Sequence, residues 1–183
     1  MSSRDQLYIC DQQYRITEST FVAPRNDPMR FYAKKPARQT GLWTSSYVDG
    51  SSAWVEWCEG ANFGDPSEMS WVVLTPAEDV RLYEIDSLED LIRLLKEYPH
   101  LPPESMRSYL TSLLEFTSID FERMCSDGYD GIYLTEQGNT RVHLSFPVDM
   151  NGWDVESTIW FRWCFVAERE VQPLVCSCHE EGE

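Results

Sequence analysis

Two acids stand inside an aromatic run, Trp153-Asp154-Val155-Glu156-Ser157-Thr158-Ile159-Trp160-Phe161. Aromatic and β-branched residues favour a strand here. Strand alternation sets Trp153, Val155, Ser157, Ile159 and Phe161 on one face, with Asp154, Glu156, Thr158 and Trp160 on the other. Asp154 and Glu156 then point the same way. A carboxylate beside large apolar side chains is costly unless it is hydrogen-bonded, exposed or used for chemistry. The chemical reading makes this pair a candidate catalytic site. The competing reading is a solvent-facing strand edge with two ordinary acids.

A second constellation lies earlier in the chain. Gly41-Leu42-Trp43-Thr44-Ser45 joins a permissive glycine to an indole face and two small hydroxyls, the ingredients of a close approach between backbone and ligand. Ala53-Trp54-Val55-Glu56-Trp57-Cys58 adds two more indoles, whose commonest role is core packing. Arg25, Arg30, Lys34, Lys35 and Arg38 hold five of the 15 Lys and Arg in a chain of net charge −16. That stretch could receive an anion such as a pyrophosphate, or be a solvated loop.

The elements that must position these groups follow from pattern. Leu7-Tyr8-Ile9-Cys10 suits a first strand. Residues 11 to 40 are polar, with Pro24, Pro28 and Pro36, and read as a long irregular segment. Gly41 to Tyr47 reads as a strand, and Ser51 or Ser52 caps a short helix over Ala53 to Cys58. Trp71–Thr75 and Val80–Ile85 read as strands. Ser87 with Asp90 resembles a capping box, opening a helix with Leu88, Leu91, Ile92 and Leu95 on one stripe and a stop near Tyr98-Pro99. Further helices are expected over Glu104 to Phe116 and over Ile119 to Cys125, the latter capped at Ser118 or Asp120. Ile132–Leu134 reads as a strand, residues 136 to 139 as a turn, and Arg141–Leu144 as another strand in which His143 is structural. Strands and short helices without regular βαβ alternation predict an α+β fold with a mainly antiparallel sheet.

Length and composition set the bounds. The 183 residues fit a single domain, and seven Trp with 13% aromatic residues argue against disorder. The acidic charge argues against phosphate-backbone binding, so no nucleic-acid partner is expected. No leader and no membrane-length apolar run is read, which predicts a cytoplasmic protein with no membrane partner. Reduced thiols are then the default for the six cysteines. Cys176-Ser177-Cys178-His179 is the one metal-like cluster, with no second ligand pair at zinc spacing, so no metal is expected. Residues 172 to 183 read as a flexible acidic tail. Neither a Gly-rich phosphate loop nor a Gly-x-Ser-x-Gly elbow occurs.

The order of these motifs resembles a group of phage and bacterial proteins similar to ADP-ribosyltransferases. Lys34-Lys35-Pro36, then Gly41-Leu42-Trp43-Thr44-Ser45 and Trp54-Val55-Glu56-Trp57-Cys58 carry it first. Ile119-Asp120-Phe121-Glu122, Tyr129-Asp130-Gly131-Ile132 and Trp153-Asp154-Val155-Glu156-Ser157 follow in the same order. The resemblance implies a split mixed sheet with short helices around a central cleft that grips NAD as substrate. It implies transfer of ADP-ribose, with loss of nicotinamide, to a protein or small-molecule acceptor. Glu156 would be the catalytic carboxylate, with Asp154 beside it. Trp43, Thr44 and Ser45 would line the nicotinamide end, with Trp54 nearby. Arg25, Arg30 or Lys35 would approach the pyrophosphate. Tyr8 stands in the first strand, where the resemblance implies a His or Arg, and this departure favours an alternative: a catalytically inactive binding module of the same shape. A further alternative is an acidic interaction or inhibitor protein that presents carboxylates to a basic partner.

Overall fold

In the computed structural model, described for residues 5–27, 34–61, 68–110, 114–143, 145, 148–150 and 152–172, nine strands and five helices are assigned. In chain order they are β1 (Gln6–Cys10), β2 (Leu42–Ser46), α1 (Ala53–Ala61), β3 (Ser70–Pro76), β4 (Leu82–Ile85), α2 (Leu88–Glu97) and β5 (Pro99–His100). Then come α3 (Glu104–Arg107), β6 (Ser118–Ile119), α4 (Phe121–Ser126), β7 (Gly131–Leu134), α5 (Glu136–Val142), β8 (Ser157–Trp160) and β9 (Phe165–Val171). Seven strands form one sheet in the order β4-β7-β8-β2-β1-β3-β9, and β5 pairs with β6 apart from it. Among the described residues, only β4 and β7 pair in parallel. The architecture is α+β, with a large, mostly antiparallel sheet and short helices.

The sheet is nearly divided at its middle. β1 and β2 share only the pairs Gln6↔Ser46 and Leu7↔Ser45, whereas β1 pairs with β3 over five positions, Gln6 to Cys10. Register and alternation assign the faces. Leu7, Ile9, Trp43, Ser45, Ile159, Ile132 and Tyr83 fall on one face, and Gln6, Tyr8, Thr44, Thr158, Trp160 and Glu84 on the other. On the first face the helices α2 (Leu91, Leu94, Leu95), α4 (Phe121, Met124) and α5 (Val142) bury a core against β4, β7 and β8. α1 buries Val55 against Leu7, Trp71 and Val73 on the other half of that face. On the second face Tyr8, Leu42, Val72, Leu74 and Trp160 pack with Ile16, Phe21, Trp163 and Phe165.

The local reasons are legible in the caps. Ser87 Oγ accepts from Asp90 N and donates to the Asp90 carboxylate at 2.7 Å, closing α2 at its start. Asp120 caps α4 through Arg123 N at 3.0 Å. Ser52 Oγ accepts from Val55 N at the start of α1. The irregular segment keeps its expected character: residues 11–27 and 34–40 hold one 3-10 turn (Gln12–Tyr14) and no strand or α-helix. Tyr8 pins it, accepting from Ile16 N at 3.0 Å, and Asn26 Nδ2 donates to the Ile119 carbonyl at 2.6 Å.

Three local expectations are corrected. Residues 136 to 142 form α5 rather than a turn and a strand, because Thr135 caps them by accepting from Gly138 N at 2.8 Å. Gly138 lies against the Ile85 backbone so closely that a Cβ would overlap the Ile85 carbonyl. The glycine that reads as a turn in sequence is there to let a helix touch a strand. His143 accordingly ends a helix and is exposed. The expected helix from Glu104 ends at Arg107 in the described residues, with 111–113 lying outside them. Finally, β8 begins at Ser157, so Trp153 to Glu156 are not strand, and the alternation that would align Asp154 with Glu156 does not reach them.

Among the described residues, no helix is long and apolar enough to cross a membrane. Cys10, Cys58, Cys125 and Cys164 are free thiols, the first two buried. Burial pushes the Cys164 thiol up to about 12. Arg30, the 176–179 cluster and residues 173–183 of the tail lie outside the described residues.

Candidate functional site

Between the α1 half and the α2–α4–α5 half of the first face lies a cavity of about 290 Å³. Its floor is β1 and β2, through Leu7, Ile9, Trp43 and Ser45. Trp54 of α1 forms one wall, and the turn Gly152-Trp153-Asp154 forms the other. Lys35 closes one end, its ammonium 5.8 Å from the Trp43 ring centroid. A second recess of about 270 Å³ adjoins it, sharing Tyr8, Lys35 and Trp43 and adding Arg38. Six of the residues singled out from sequence for ligand binding, Tyr8, Lys35, Trp43, Thr44, Ser45 and Trp54, border one hollow, Tyr8 and Thr44 with their side chains turned to the other face of the sheet, and Asp154 joins them.

The indoles are held by specific contacts. Trp153 is buried and donates from Nε1 to the Lys34 carbonyl at 2.8 Å. Its ring meets Trp43 edge-on at 4.6 Å. That arrangement exploits the aromatic quadrupole and fixes Trp43 from one side. Trp54 stacks on Trp57 at 5.1 Å and so is braced within its own helix. Gly152 has a positive φ of 88° and no Cβ, which lets the Lys35 stem pass directly over it. Lys34 is itself buried, donating to the Glu115 carbonyl at 3.3 Å; burial pulls its ammonium below the usual lysine range, with Asp149 and Glu115 opposing that.

Glu156 sits at the end of the β2–β8 ladder, one residue before β8. It is 6% exposed. Its Oε2 accepts from the Ser45 hydroxyl at 2.6 Å and from Ser46 N at 3.0 Å, and its Oε1 accepts from the Ser46 hydroxyl at 2.7 Å. The last ladder pair is Thr44↔Thr158, so the carboxylate takes the Ser46 N–H where the next strand carbonyl would stand. Three donors meet a group with roughly four acceptor positions, and Glu156 itself borders neither the cavity nor the adjoining recess. Ser45 borders the cavity on the first face and Ser46 the opposite side of the sheet, so the acid lies at the seam between them. Asp154 borders the cavity directly, its carbonyl accepting from Asn139 Nδ2 at 3.1 Å.

Several expected contacts are redirected. The Thr44 hydroxyl donates to Gln6 Oε1 at 2.7 Å and accepts from Trp160 Nε1 at 2.8 Å, so it faces the second side of the sheet. The Tyr8 hydroxyl is engaged by Ile16 N and the Tyr14 carbonyl, and burial raises it to about 12. Arg25 is exposed and borders neither recess, its backbone being bound to Thr40 and Ala37. Ser46, Ser157, Trp153 and Gly152 are site residues that the sequence reading passed over. The seryl pair following Trp43-Thr44 was the available signal, since two adjacent strand hydroxyls opposite an acid are a ready pair of donors. Among the described residues, no group of three or more His, Cys, Asp or Glu is placed to hold a metal ion.

Comparison of the chain with family models, with curated proteins and with solved structures finds no match.

Proposed function

We propose that the chain is a cytoplasmic ADP-ribosyltransferase-like protein that takes NAD into the cavity between α1 and the 152–154 turn. It would pass ADP-ribose to a protein or small-molecule acceptor. The observation that supports this most is the clamp of Ser45 and Ser46 on Glu156, which ties the late acid to the early indole-and-hydroxyl strand beside a Trp-lined hollow. Trp43 and Trp54 supply flat faces for the nicotinamide ring, and Lys35 and Arg38 supply cations for the pyrophosphate.

In this reading the bond from the ribose C1′ to the nicotinamide nitrogen breaks. Its electron pair returns to the ring and discharges the pyridinium. The ribose becomes an oxocarbenium-like cation, and the acceptor nucleophile bonds to C1′ and releases its proton. Glu156, with its serine donors fixing it, stabilises the cationic sugar more than the ground state. Asp154, at the cavity wall, orients the acceptor.

Titration with NAD, followed by tryptophan fluorescence, and release of labelled nicotinamide test the proposal together. Quenching that saturates is expected, with release that falls by about 10²- to 10³-fold in Glu156→Gln. Equal release by that variant removes Glu156 from the mechanism, and no quenching at all removes NAD. A second reading, the inactive binding module, draws on Tyr8, whose hydroxyl is already engaged by the 14–16 segment. Saturable quenching without release would establish it.

A further inference from the structure

The Trp-lined cavity lies where a strand ladder stops short. β1 and β2 pair at Gln6↔Ser46 and Leu7↔Ser45, and Tyr47 N donates to the Asp5 carbonyl at 2.8 Å in the same register. That register would next set Tyr8 opposite Thr44, Ile9 opposite Trp43 and Cys10 opposite Leu42, and none of these pairs forms. The start of β2 is drawn elsewhere: Gly41 N donates to the Val22 carbonyl at 2.7 Å, and Leu42, Trp43 and Thr44 pair with β8. β1 meanwhile stays with β3 as far as Cys10. The two strands therefore part as a wedge. Leu7, Tyr8, Ile9, Trp43, Thr44 and Ser45 border the cavity, and Tyr8, Gly41 and Trp43 border the adjoining recess, so both hollows open at this wedge.

Beneath the wedge, on the second face, a buried polar chain crosses the divide. Trp160 Nε1 donates to the Thr44 hydroxyl at 2.8 Å, and that hydroxyl donates to Gln6 Oε1 at 2.7 Å. The chain runs from β8 through β2 to β1. Gln6 is 6% exposed, Thr44 4% and Trp160 0%, so water offers these groups little replacement if the chain is cut. Gln6 stands opposite Ser46, so its side chain reaches two residues along β2, over the apex of the wedge, to the residue that Tyr8 would otherwise face. The Tyr8 hydroxyl is turned away to the 14–16 segment. A side-chain bond thus ties the strands at the point where their backbone ladder ends.

We propose that Gln6 is a positioning residue, whose bond to Thr44 staples the wedge and so fixes the width of the cavity on the opposite face. The two indole walls of that cavity belong to different sides of the divide. Trp54 stands on α1, which packs through Val55 on Leu7, Trp71 and Val73 of β1 and β3. Trp43 stands on β2 next to Thr44, with Trp153 edge-on against it. The staple holds these walls at one separation. Gln6 borders neither the cavity nor the recess and acts through Thr44. The inference deepens the NAD reading by naming what sets the width of that site, and rests on it only where NAD is the probe.

Hydrogen–deuterium exchange of the full chain, read by mass spectrometry, tests it. Gln6→Met keeps the bulk and removes the acceptor. It should speed exchange of residues 7–10 and 42–45 about tenfold and leave α2, β4 and β7 at the parent rate. Thr44→Val should open the same segments at least as far, whereas Thr44→Ser, which keeps the hydroxyl, should exchange like the parent. Leu95→Ala, a core truncation on α2, should speed exchange in its own half and not at the wedge. In a NAD titration Gln6→Met should need about tenfold more NAD for the same quenching, and Leu95→Ala no more than the parent. A parent that never responds to NAD strikes the NAD reading and leaves the exchange rates to decide the staple. Parent-rate exchange at 7–10 and 42–45 in Gln6→Met, acceleration spread evenly over the whole sheet, or Thr44→Ser opening as far as Thr44→Val would overturn the proposal.

Discussion

Removing the Glu156 carboxylate should cost the fold as well as the proposed chemistry, and the two costs separate by substitution. In Glu156→Ala the Ser45 hydroxyl, which is 1% exposed, loses its acceptor, and Ser46 loses the acceptor for its N–H and its hydroxyl. An unsatisfied buried donor costs about 1–3 kcal/mol. Ser46 is half-buried, so water recovers part of its share. The Ser45 hydroxyl and a fraction of the Ser46 pair together give about 3 kcal/mol. Glu156→Gln keeps one oxygen for the Ser46 N–H, and either serine hydroxyl can turn to accept from the new amide. Only the charge assistance goes, about 1 kcal/mol. Urea unfolding followed by tryptophan fluorescence and circular dichroism reads both values, with an unchanged m-value showing that the same surface is exposed. A double-mutant cycle with Ser45→Ala should give a coupling of about 1–2 kcal/mol. Should Glu156→Ala unfold within about 0.5 kcal/mol of the parent, the carboxylate is not held by those serines, and its proposed placement for catalysis fails with it.

Other perturbations have equally definite outcomes. Gly138→Ala drives a Cβ into the Ile85 carbonyl and should lower stability by about 2–3 kcal/mol in a thermal or urea melt. Gly152→Ala places a Cβ 2.8 Å from Lys35 Cε at a φ of 88°. It should cost about 1–2 kcal/mol and weaken NAD quenching by displacing the lysine across the cavity. Tyr8, raised from 10.0 to about 12 by burial, stays protonated when folded after the unfolded tyrosine has ionised. Its contribution is therefore full below pH 10 and is lost between pH 10 and about 12, and Tyr8→Phe should flatten that part of a stability-against-pH curve. Lys34 acts with the opposite sign. Its depressed folded value makes stability rise with pH up to its ordinary 10.5, and Lys34→Met should remove that rise.

How much of this was legible in the letters depended on whether the signal was local. Ser87 and Asp120 were readable because a helix cap involves residues three apart, and β1, β3 and β7 because a strand's pattern lies within the strand. Lys35, Trp43, Ser45 and Trp54 border one hollow, an arrangement expected only through a resemblance of motif order, while Tyr8 and Thr44 of the same set turn their side chains to the other face of the sheet. What failed was information carried by contact between distant segments. Gln137-Gly138-Asn139 reads as a turn until the Ile85 backbone supplies the reason for a glycine inside a helix. Trp153 to Glu156 read as strand because their types suit one, but Trp153 is drawn to the Lys34 carbonyl and Glu156 to Ser45 and Ser46, and those attachments outweigh β propensity.

The same point explains why the two acids part company. Alternation would put Asp154 and Glu156 on one face only if the strand ran through both, and the ladder stops at Ser157. At a ladder's end a backbone N–H that has lost its strand partner still needs an acceptor. Glu156 supplies one to the Ser46 N–H, which faces β8 and has lost its strand partner there. Asp154, two residues further from the sheet, finds the cavity wall instead. Two carboxylates of nearly the same chemistry thus receive different surroundings, one buried and triply bonded, the other at the rim of the hollow. If the pair takes part in sugar transfer, that difference assigns the charge-stabilising role to Glu156 and the acceptor-facing role to Asp154. Asp154→Asn should then slow transfer to an acceptor while sparing hydrolytic release of nicotinamide, and an equal loss of both would place Asp154 in the bond-breaking step itself.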